Sequence, residues 1–291
     1  MPMALSRCAL LRWAVALIFG LAAVPAQSVT LTDLYETAQP VQESRDAAFV
    51  EALKTVLVRV SGQRDAPARV GAEVNDPRKY VRRYGFRADG VLEVAFDSAS
   101  VDELLSQSGL PIWGRERPAT LVMVSFEDAG GSQRWASADL PSGEREALLR
   151  VARQRGLPLT WATMDSQDRA QAGAGTAAQL QAAARYGANA ALVGQSRSGQ
   201  VRWTLVSGDG AVETSGGLEE GVHLAADTFA RVFGASGSSL GSVVLEVSGI
   251  SDLNAYAATL NYLEAMTLVR GVALEQVSGE SMRFRLAVRG D

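Results

Sequence analysis

The 291-residue chain contains one cysteine, Cys8, which lies before an apolar run near the N-terminus. Arg7 and Arg12 precede that run, residues 13–24, and Ala26 ends it in the pattern of a cleavable secretory signal peptide. Cleavage is expected after Ala26 or nearby. A lipoprotein signal would place its cysteine at the cleavage point, whereas Cys8 lies before the apolar run, so lipid attachment is not expected. The mature chain then has no thiol, so its fold depends on a packed core without disulfides or thiolate metal sites.

An exported chain of this kind is expected in the periplasm. The apolar run is shorter than the roughly 20 residues that a membrane helix needs, so no integral span is expected after cleavage. Removing Arg7 and Arg12 from the total leaves 26 basic against 32 acidic residues, a net charge of −6. A mildly acidic protein has no general attraction to nucleic acid, so no nucleic-acid partner is expected.

Hydrophobic periodicity predicts an α+β fold in three small sections, residues 29–114, 117–234 and 242–291, with a serine- and glycine-rich linker at 235–241. In the first section, a helix ends at Gly62, and a polar loop is expected to follow over residues 63–78. Two strands then flank the hairpin dipeptide Asp89-Gly90.

The second section opens with an apolar run at 119–126 that is typical of a strand buried on both faces, and it predicts a mixed α/β sheet. The third section follows a strand, helix, strand, strand pattern, which is part of a ferredoxin-like unit. Its helix is expected to turn Leu253 inward, and its incomplete sheet is expected to leave an edge open. Whether that sheet is completed within one chain or between chains stays open, as does the oligomeric state.

Four segments resemble a known family of uncharacterised exported proteobacterial proteins, domain of unknown function 2066. They are Tyr35 to Pro40, the helix end Val58-Arg-Val-Ser-Gly62, Gly109-Leu-Pro-Ile-Trp-Gly114, and Arg117-Pro118 before a buried strand. This resemblance implies export and the fold, and it supplies no activity.

A segment in the middle section, Ala183-Ala-Arg-Tyr-Gly-Ala-Asn-Ala-Ala-Leu-Val-Gly194, is similar to a helix-to-strand passage in two envelope domains. These are the domains of the curli-secretion lipoprotein and of the N-terminus of the Tol-Pal propeller protein. That similarity implies a docking or assembly module.

No constellation of residues predicts catalysis or a cofactor. His223 and Asp227 are four residues apart on a predicted helix, and a solvated surface pair explains them better than a catalytic pair does. Asp165 with Asp168, and Glu127 with Asp128, are interpreted as surface carboxylates in polar loops. Gly173-Ala-Gly-Thr-Ala-Ala178 imitates a dinucleotide fingerprint but lacks the preceding strand that such a site requires. No metal ion or cofactor is therefore expected.

Two features are candidates for contact with a partner. Trp113 lies at the junction of the first two sections, where it acts either as a wedge between them or as a binding anchor. Tyr80, Arg82, Arg83 and Tyr84 combine basic and aromatic side chains. Alternation along a strand would place Arg82 and Tyr84 on one face and Arg83 on the other, which divides the cluster.

The function expected from the sequence is that of a non-enzymatic periplasmic accessory protein that docks on another envelope protein. A hydrolase that uses carboxylates is an alternative. A second alternative is a small-ligand or glycan binder that uses tryptophans such as Trp135, Trp161 and Trp203.

Overall fold

The computed structural model describes residues 28–127, 130–139, 142–235, 240–266 and 269–289. The expected signal peptide, residues 1–26, lies outside the described residues, as do most of the expected linker and Asp128. Helices and several small sheets of mixed and antiparallel strands make the fold α+β, as predicted. Within the described ranges, none of the helices combines the length and the apolar character needed to cross a membrane.

The first section packs one long helix against a three-stranded sheet, whose central strand, residues 91–96, lies between residues 36–40 and residues 81–86. Its elements are β1 (Ser28–Thr30), β2 (Glu36–Pro40), α1 (Arg45–Ser61), α2 (Ala66–Val70), β3 (Val81–Phe86), β4 (Val91–Phe96), α3 (Ser98–Gln107) and β5 (Ile112–Trp113). Ser44 caps the start of α1, and Gly62 ends it with φ of 69°, as the sequence predicted. The predicted hairpin around Asp89-Gly90 is formed by β3 and β4.

The middle section is a six-stranded mixed sheet covered by helices on both faces. Its elements are β6 (Glu116–Pro118), β7 (Thr120–Glu127), β8 (Gln133–Trp135), α4 (Gly143–Arg155), β9 (Leu159–Trp161), α5 (Ser166–Ala172), α6 (Thr176–Arg185), β10 (Ala190–Arg197), β11 (Gln200–Ser207), β12 (Gly210–Gly216), α7 (Glu220–Phe233) and β13 (Gly234–Ala235). β7 runs parallel to β9 and β10 at the centre of the sheet, which confirms the strand buried on both faces.

Trp203 is fully buried in the core between this sheet and α7. Two glycines make room for its ring, since a Cβ at Gly194 or Gly221 would lie 2.5 Å or 2.3 Å from the indole. The indole Nε1 donates a hydrogen bond to the Gly217 carbonyl at 3.3 Å. The core is therefore built around an aromatic ring between two residues without side chains.

The third section has the predicted βαββ order, β14 (Leu240–Ser248), α8 (Leu253–Ala265), β15 (Val269–Ser278) and β16 (Ser281–Arg289). β16 lies between β14 and β15 and is antiparallel to both. Phe284 is fully buried and stacks on Tyr256 of α8. Leu253, expected to point inward, is 78% exposed because it is the first residue of α8, before the helix passes over the sheet.

Two segments that the sequence suggested were loops are helical. Residues 63–78 contain α2 and 3₁₀ turns at Gly71–Asn75 and Pro77–Tyr80. Their buried residues recur every three or four positions, at Ala66, Val70, Val74 and Pro77, which is a helical spacing hidden among polar residues. The segment around Asp168 forms α5, whose start is capped by the side chain of Asp165.

Candidate functional site

A β-bulge at Arg82 brings the two candidate arginines to the same carboxylate. The register between β3 and β4 shifts between Val81 and Arg83, so Arg82 is an extra residue in the edge strand. Arg83 Nη2 lies 3.2 Å from Glu36 Oε1, and Arg82 Nη2 lies 3.6 Å from the same oxygen. The expected division of this pair between two faces is wrong, because the bulge interrupts the alternation on which it was based.

Arg83 reaches Glu36 across the width of the sheet. Both residues are paired with Ala95 on the central strand β4, so the three side chains form one row on the face opposite α1. The small Ala95 side chain leaves room above it for the guanidinium.

Tyr84 lies on the other face of β3, where it joins an aromatic cluster with Phe49 and Phe86. Its ring packs edge-on against Phe49 and Phe86, with centroids 5.2 Å and 6.0 Å away. Arg78 stacks over Phe49 at 4.6 Å and Arg45 stacks over Phe86 at 4.7 Å. Phe49 is buried, whereas Tyr84 is 55% and Phe86 39% exposed, so the cluster presents aromatic surface to solvent.

An open cleft of about 430 Å³ lies along this strand, and we call it the edge cleft. Its lining residues are Phe49, Arg78, Val81, Arg82, Arg83 and Tyr84. Three of these six residues are arginines, two are aromatic, and none is acidic. Tyr80 is half-buried beside the cleft, where its hydroxyl donates to Glu73 Oε2 at 3.2 Å.

β3 pairs only with β4 within the described part of the chain, and residues 81–84 of β3 line the edge cleft. A strand edge beside arginine and aromatic side chains can accept the backbone of an extended peptide and contact its side chains. Of the contact candidates predicted from the sequence, the structure brings Arg82, Arg83 and Tyr84 together here. Arg45, Phe49 and Phe86 were not predicted as contact residues. The one signal in the sequence was the two-residue spacing of Tyr84 and Phe86, which places both on the same face of a strand.

Trp113 lies in the core and offers no surface to a partner in this conformation. The Arg117 guanidinium stacks on its indole at 3.5 Å, and β5 pairs Trp113 with Gly234 of β13. Of the two roles considered for this residue, its position fits the wedge between the first two sections.

Arg117 is itself fully buried and binds backbone carbonyls. Its Nε donates to Gly114 O at 2.5 Å, and its Nη2 donates to Trp113 O at 2.7 Å and to Arg59 O at 3.0 Å. Burial lowers the pKa of the guanidinium well below its ordinary value. One buried cation thus binds the last turn of α1 to the segment that enters the middle sheet.

His223 and Asp227 do not form the expected solvated pair, because a buried arginine lies between them. Arg155, whose side chain is 2% exposed, approaches His223 Nδ1 at 2.9 Å and Asp227 Oδ1 at 2.5 Å. Its Nη2 also donates to Gly62 O at 2.7 Å. A guanidinium can only donate, so Nδ1 accepts and the proton of the neutral imidazole is on Nε2.

This network borders a cleft of about 540 Å³ between α7 and the end of α1. Arg64 pairs there with Asp227 Oδ2 at 3.2 Å and with Glu220 Oε1 at 3.7 Å. The carboxylate of Asp227 is therefore held by two arginines and does not orient His223 as a general base. The arrangement joins α1, α4 and α7 by charge-assisted hydrogen bonds.

The ionisation of His223 predicts a pH dependence of stability. Burial, and then the charges of Arg155 and Arg64, lower the pKa of His223 below 6.5. His223 therefore binds a proton more readily in the unfolded state than in the folded state. The stability of the fold with neutral His223 is fully present above about pH 6.5, and it is lost as pH falls toward the folded-state pKa. We expect urea unfolding midpoints to fall between about pH 7 and pH 5, and to fall less in His223→Gln. Parallel pH profiles for the two proteins would contradict this assignment.

Asp168 was interpreted as a surface carboxylate, and that interpretation is wrong. It is fully buried and forms an ion pair with Arg185. Its Oδ2 also accepts hydrogen bonds from Tyr186 Oη at 2.7 Å and from Thr163 Oγ1 at 3.4 Å. Met164, beside this cluster, has a positive φ of 57°, and its carbonyl accepts from Arg169 Nε at 2.7 Å. The carboxylate thus connects the α5–α6 pair to the segment after β9.

Two of the three tryptophans considered for ligand binding, Trp161 and Trp203, are too buried to offer a stacking surface. Trp203 is fully buried, Trp161 is 7% exposed, and Trp135 packs half-buried against the core between the sheet and α6. The fingerprint-like segment 173–178 follows α5, a helix, where a dinucleotide site requires a strand. The segment 173–178 therefore lacks the strand-to-helix geometry of a dinucleotide site, and Trp135 is the one of the three tryptophans that keeps partial exposure.

A protein-family model described as a domain of unknown function (DUF8605) matches residues 28–114, less than a third of the chain. The match fits an uncharacterised family, but it supports neither the number 2066 nor the proteobacterial origin that were expected. No curated protein and no solved structure matches the chain.

Proposed function

We propose that this chain is a periplasmic accessory protein, without an enzymatic activity of its own, that docks on another protein of the cell envelope through the edge cleft. The observation that carries the proposal is the outer edge of β3, which pairs with no other strand of the described residues, beside an exposed cluster of arginines and aromatic rings. The resemblance to exported proteobacterial proteins and to envelope docking domains supports the compartment and the class of partner.

The chemistry of the edge cleft favours an extended segment with acidic and apolar side chains. Backbone pairing with the part of β3 that follows the bulge, residues 83–86, would supply some of the contacts, as in other strand-addition complexes, and side chains would supply the rest. Carboxylates of the segment would share Arg78 with Asp46, which lies 2.8 Å from it, and would share Arg82 and Arg83 with Glu36. An apolar side chain of the segment would pack on Tyr84. Exposed tyrosine and arginine side chains are the residue types that contribute most to protein interfaces.

Two substitutions test this proposal on the purified full chain. Tyr84→Ala is expected to weaken partner binding by about 10- to 30-fold, and Arg83→Glu by at least about 10-fold, because each removes a central contact. Both side chains are exposed, so the free energy of unfolding should change by less than about 1 kcal/mol. Arg202→Glu, an exposed arginine of β11 in the middle sheet, is the matched control.

The partner itself can be identified by photo-crosslinking in the native cells. A photoreactive residue at position 82 or 84 is expected to capture one envelope protein through an acidic extended segment, and the same residue at position 202 is not. A synthetic peptide of the captured segment then provides the binding assay for the three variants. Equal capture from positions 84 and 202, or a peptide affinity unchanged by Tyr84→Ala, would rule out this docking surface.

A further inference from the structure

The two outer strands of the C-terminal sheet differ in how well they are protected against further pairing. β15 has two register irregularities, between Val269 and Gly271 and between Leu274 and Gln276. β14 pairs with β16 over nine residues without a shift. It contains no proline, and Glu246 is its one charged residue. Bulges, prolines and charges are the usual protection of edge strands, so β14 has the edge better suited to pairing.

The surface beside β14 is also apolar. α8 packs mainly over β15, at the other side of the sheet. Val243 shares the face of its partner Leu286, which belongs to the core beneath α8, yet it is 48% exposed. Val244, on the opposite face, is 52% exposed. Both faces of the sheet therefore present a valine to solvent at the middle of this edge.

The sequence of β14 is complementary to itself in an antiparallel arrangement. A two-fold axis through Val244, the midpoint of the strand, pairs all nine residues and keeps equivalent faces together. Val243 then lies opposite Leu245, Val244 lies opposite Val244, and Ser242 lies opposite Glu246. No like charges meet, and the three central apolar residues, 243–245, face one another, whereas Val247 lies opposite Gly241.

We propose that two copies of this chain associate by antiparallel pairing of β14 with β14, centred on Val244. Two three-stranded sheets become one six-stranded sheet, with both α8 helices on the same face. A second copy is favoured because self-pairing centred on Val244 places valine and leucine against each other and opposes no like charges. Glu246, the charged residue of β14, already pairs with Arg283 of β16 at 3.1 Å within its own sheet, so it needs no cation from a partner. This surface lies on a different sheet from the edge cleft, so the two proposals can fail independently.

Cysteine crosslinking tests the register directly, because Cys8 is the only native thiol. In a Cys8→Ser background, Val244→Cys places two thiols opposite each other across the axis, with Cβ atoms about 4.5–5.5 Å apart. A short bismaleimide is expected to convert this variant to a covalent dimer. Val277→Cys is the matched control, since Val277 is a 55% exposed valine on the other outer strand, β15.

Sedimentation equilibrium of the full chain provides the second measurement. The wild-type chain is expected to be dimeric, and Val244→Lys is expected to raise the dimer Kd at least about tenfold by opposing two lysines across the axis. Val277→Lys is expected to leave it unchanged, and circular dichroism melts check that both variants are folded. A wild-type chain that is monomeric at about 100 μM overturns the proposal. Equal crosslinking at positions 244 and 277 also overturns it.

Discussion

Arg117→Met is expected to lower the free energy of unfolding by about 3–5 kcal/mol. Methionine fills much of the same volume, but it provides no hydrogen-bond donors to the carbonyls of Arg59, Trp113 and Gly114. Each buried acceptor left without a donor costs about 1–3 kcal/mol. Urea denaturation followed by circular dichroism measures the change.

Methionine is the informative replacement because it separates the hydrogen bonds from the packing. A buried charge is costly to desolvate, and replacing an ion by an apolar side chain is often neutral when its partners are replaced as well. Here the partners are backbone groups, which no side-chain substitution removes. Burial disfavours the charged guanidinium and so lowers the pKa of Arg117. Methionine removes this cost of desolvation, but the loss of the hydrogen-bond donors should outweigh that gain.

Arg153→Met is the matched control, because Arg153 is exposed on α4 and the chemical change is identical. It is expected to change stability by less than about 0.5 kcal/mol. A loss below about 1 kcal/mol in Arg117→Met would show that the junction tolerates the unpaired carbonyls through water or local rearrangement.

Local patterns were sufficient to predict most of the elements. The end of α1 at Gly62 and the hairpin of β3 and β4 follow from a C-cap glycine and a turn dipeptide, which are signals local in the sequence. The buried strand β7 follows from an apolar run that is too long for a half-exposed strand.

Side-chain environments set by distant residues could not be predicted in the same way. Arg155 binds Gly62 O, 93 residues away, and Arg117 binds Arg59 O, 58 residues away. An arginine that binds carbonyls across the core has the same local sequence context as a solvated one. The bulge at Arg82 was missed for a related reason, because the pairing partner and not the strand itself determines where an extra residue is accommodated.

Asp168 illustrates the same limit most clearly and gives the second large effect. Asp165 and Asp168 are equivalent from the sequence, yet Asp165 caps α5 at the surface and Asp168 is fully buried. Asp168→Ala is expected to cost about 2–3 kcal/mol, because it removes the fully buried acceptor of Tyr186 Oη and one of the two carboxylates that pair with Arg185. Asp165→Ala is expected to cost about 1 kcal/mol, the usual effect of losing a helix N-cap.

The two aspartates are therefore matched controls for each other in one denaturation series. A double-mutant cycle with Arg185→Met measures the coupling of Arg185 to each carboxylate. The coupling to Asp168 is expected to exceed the coupling to Asp165, whose oxygen lies 3.2 Å from the guanidinium at a half-exposed position. Equal losses and equal couplings would mean that water satisfies Tyr186 and Arg185 once Asp168 is removed, and that α5 depends on its cap alone.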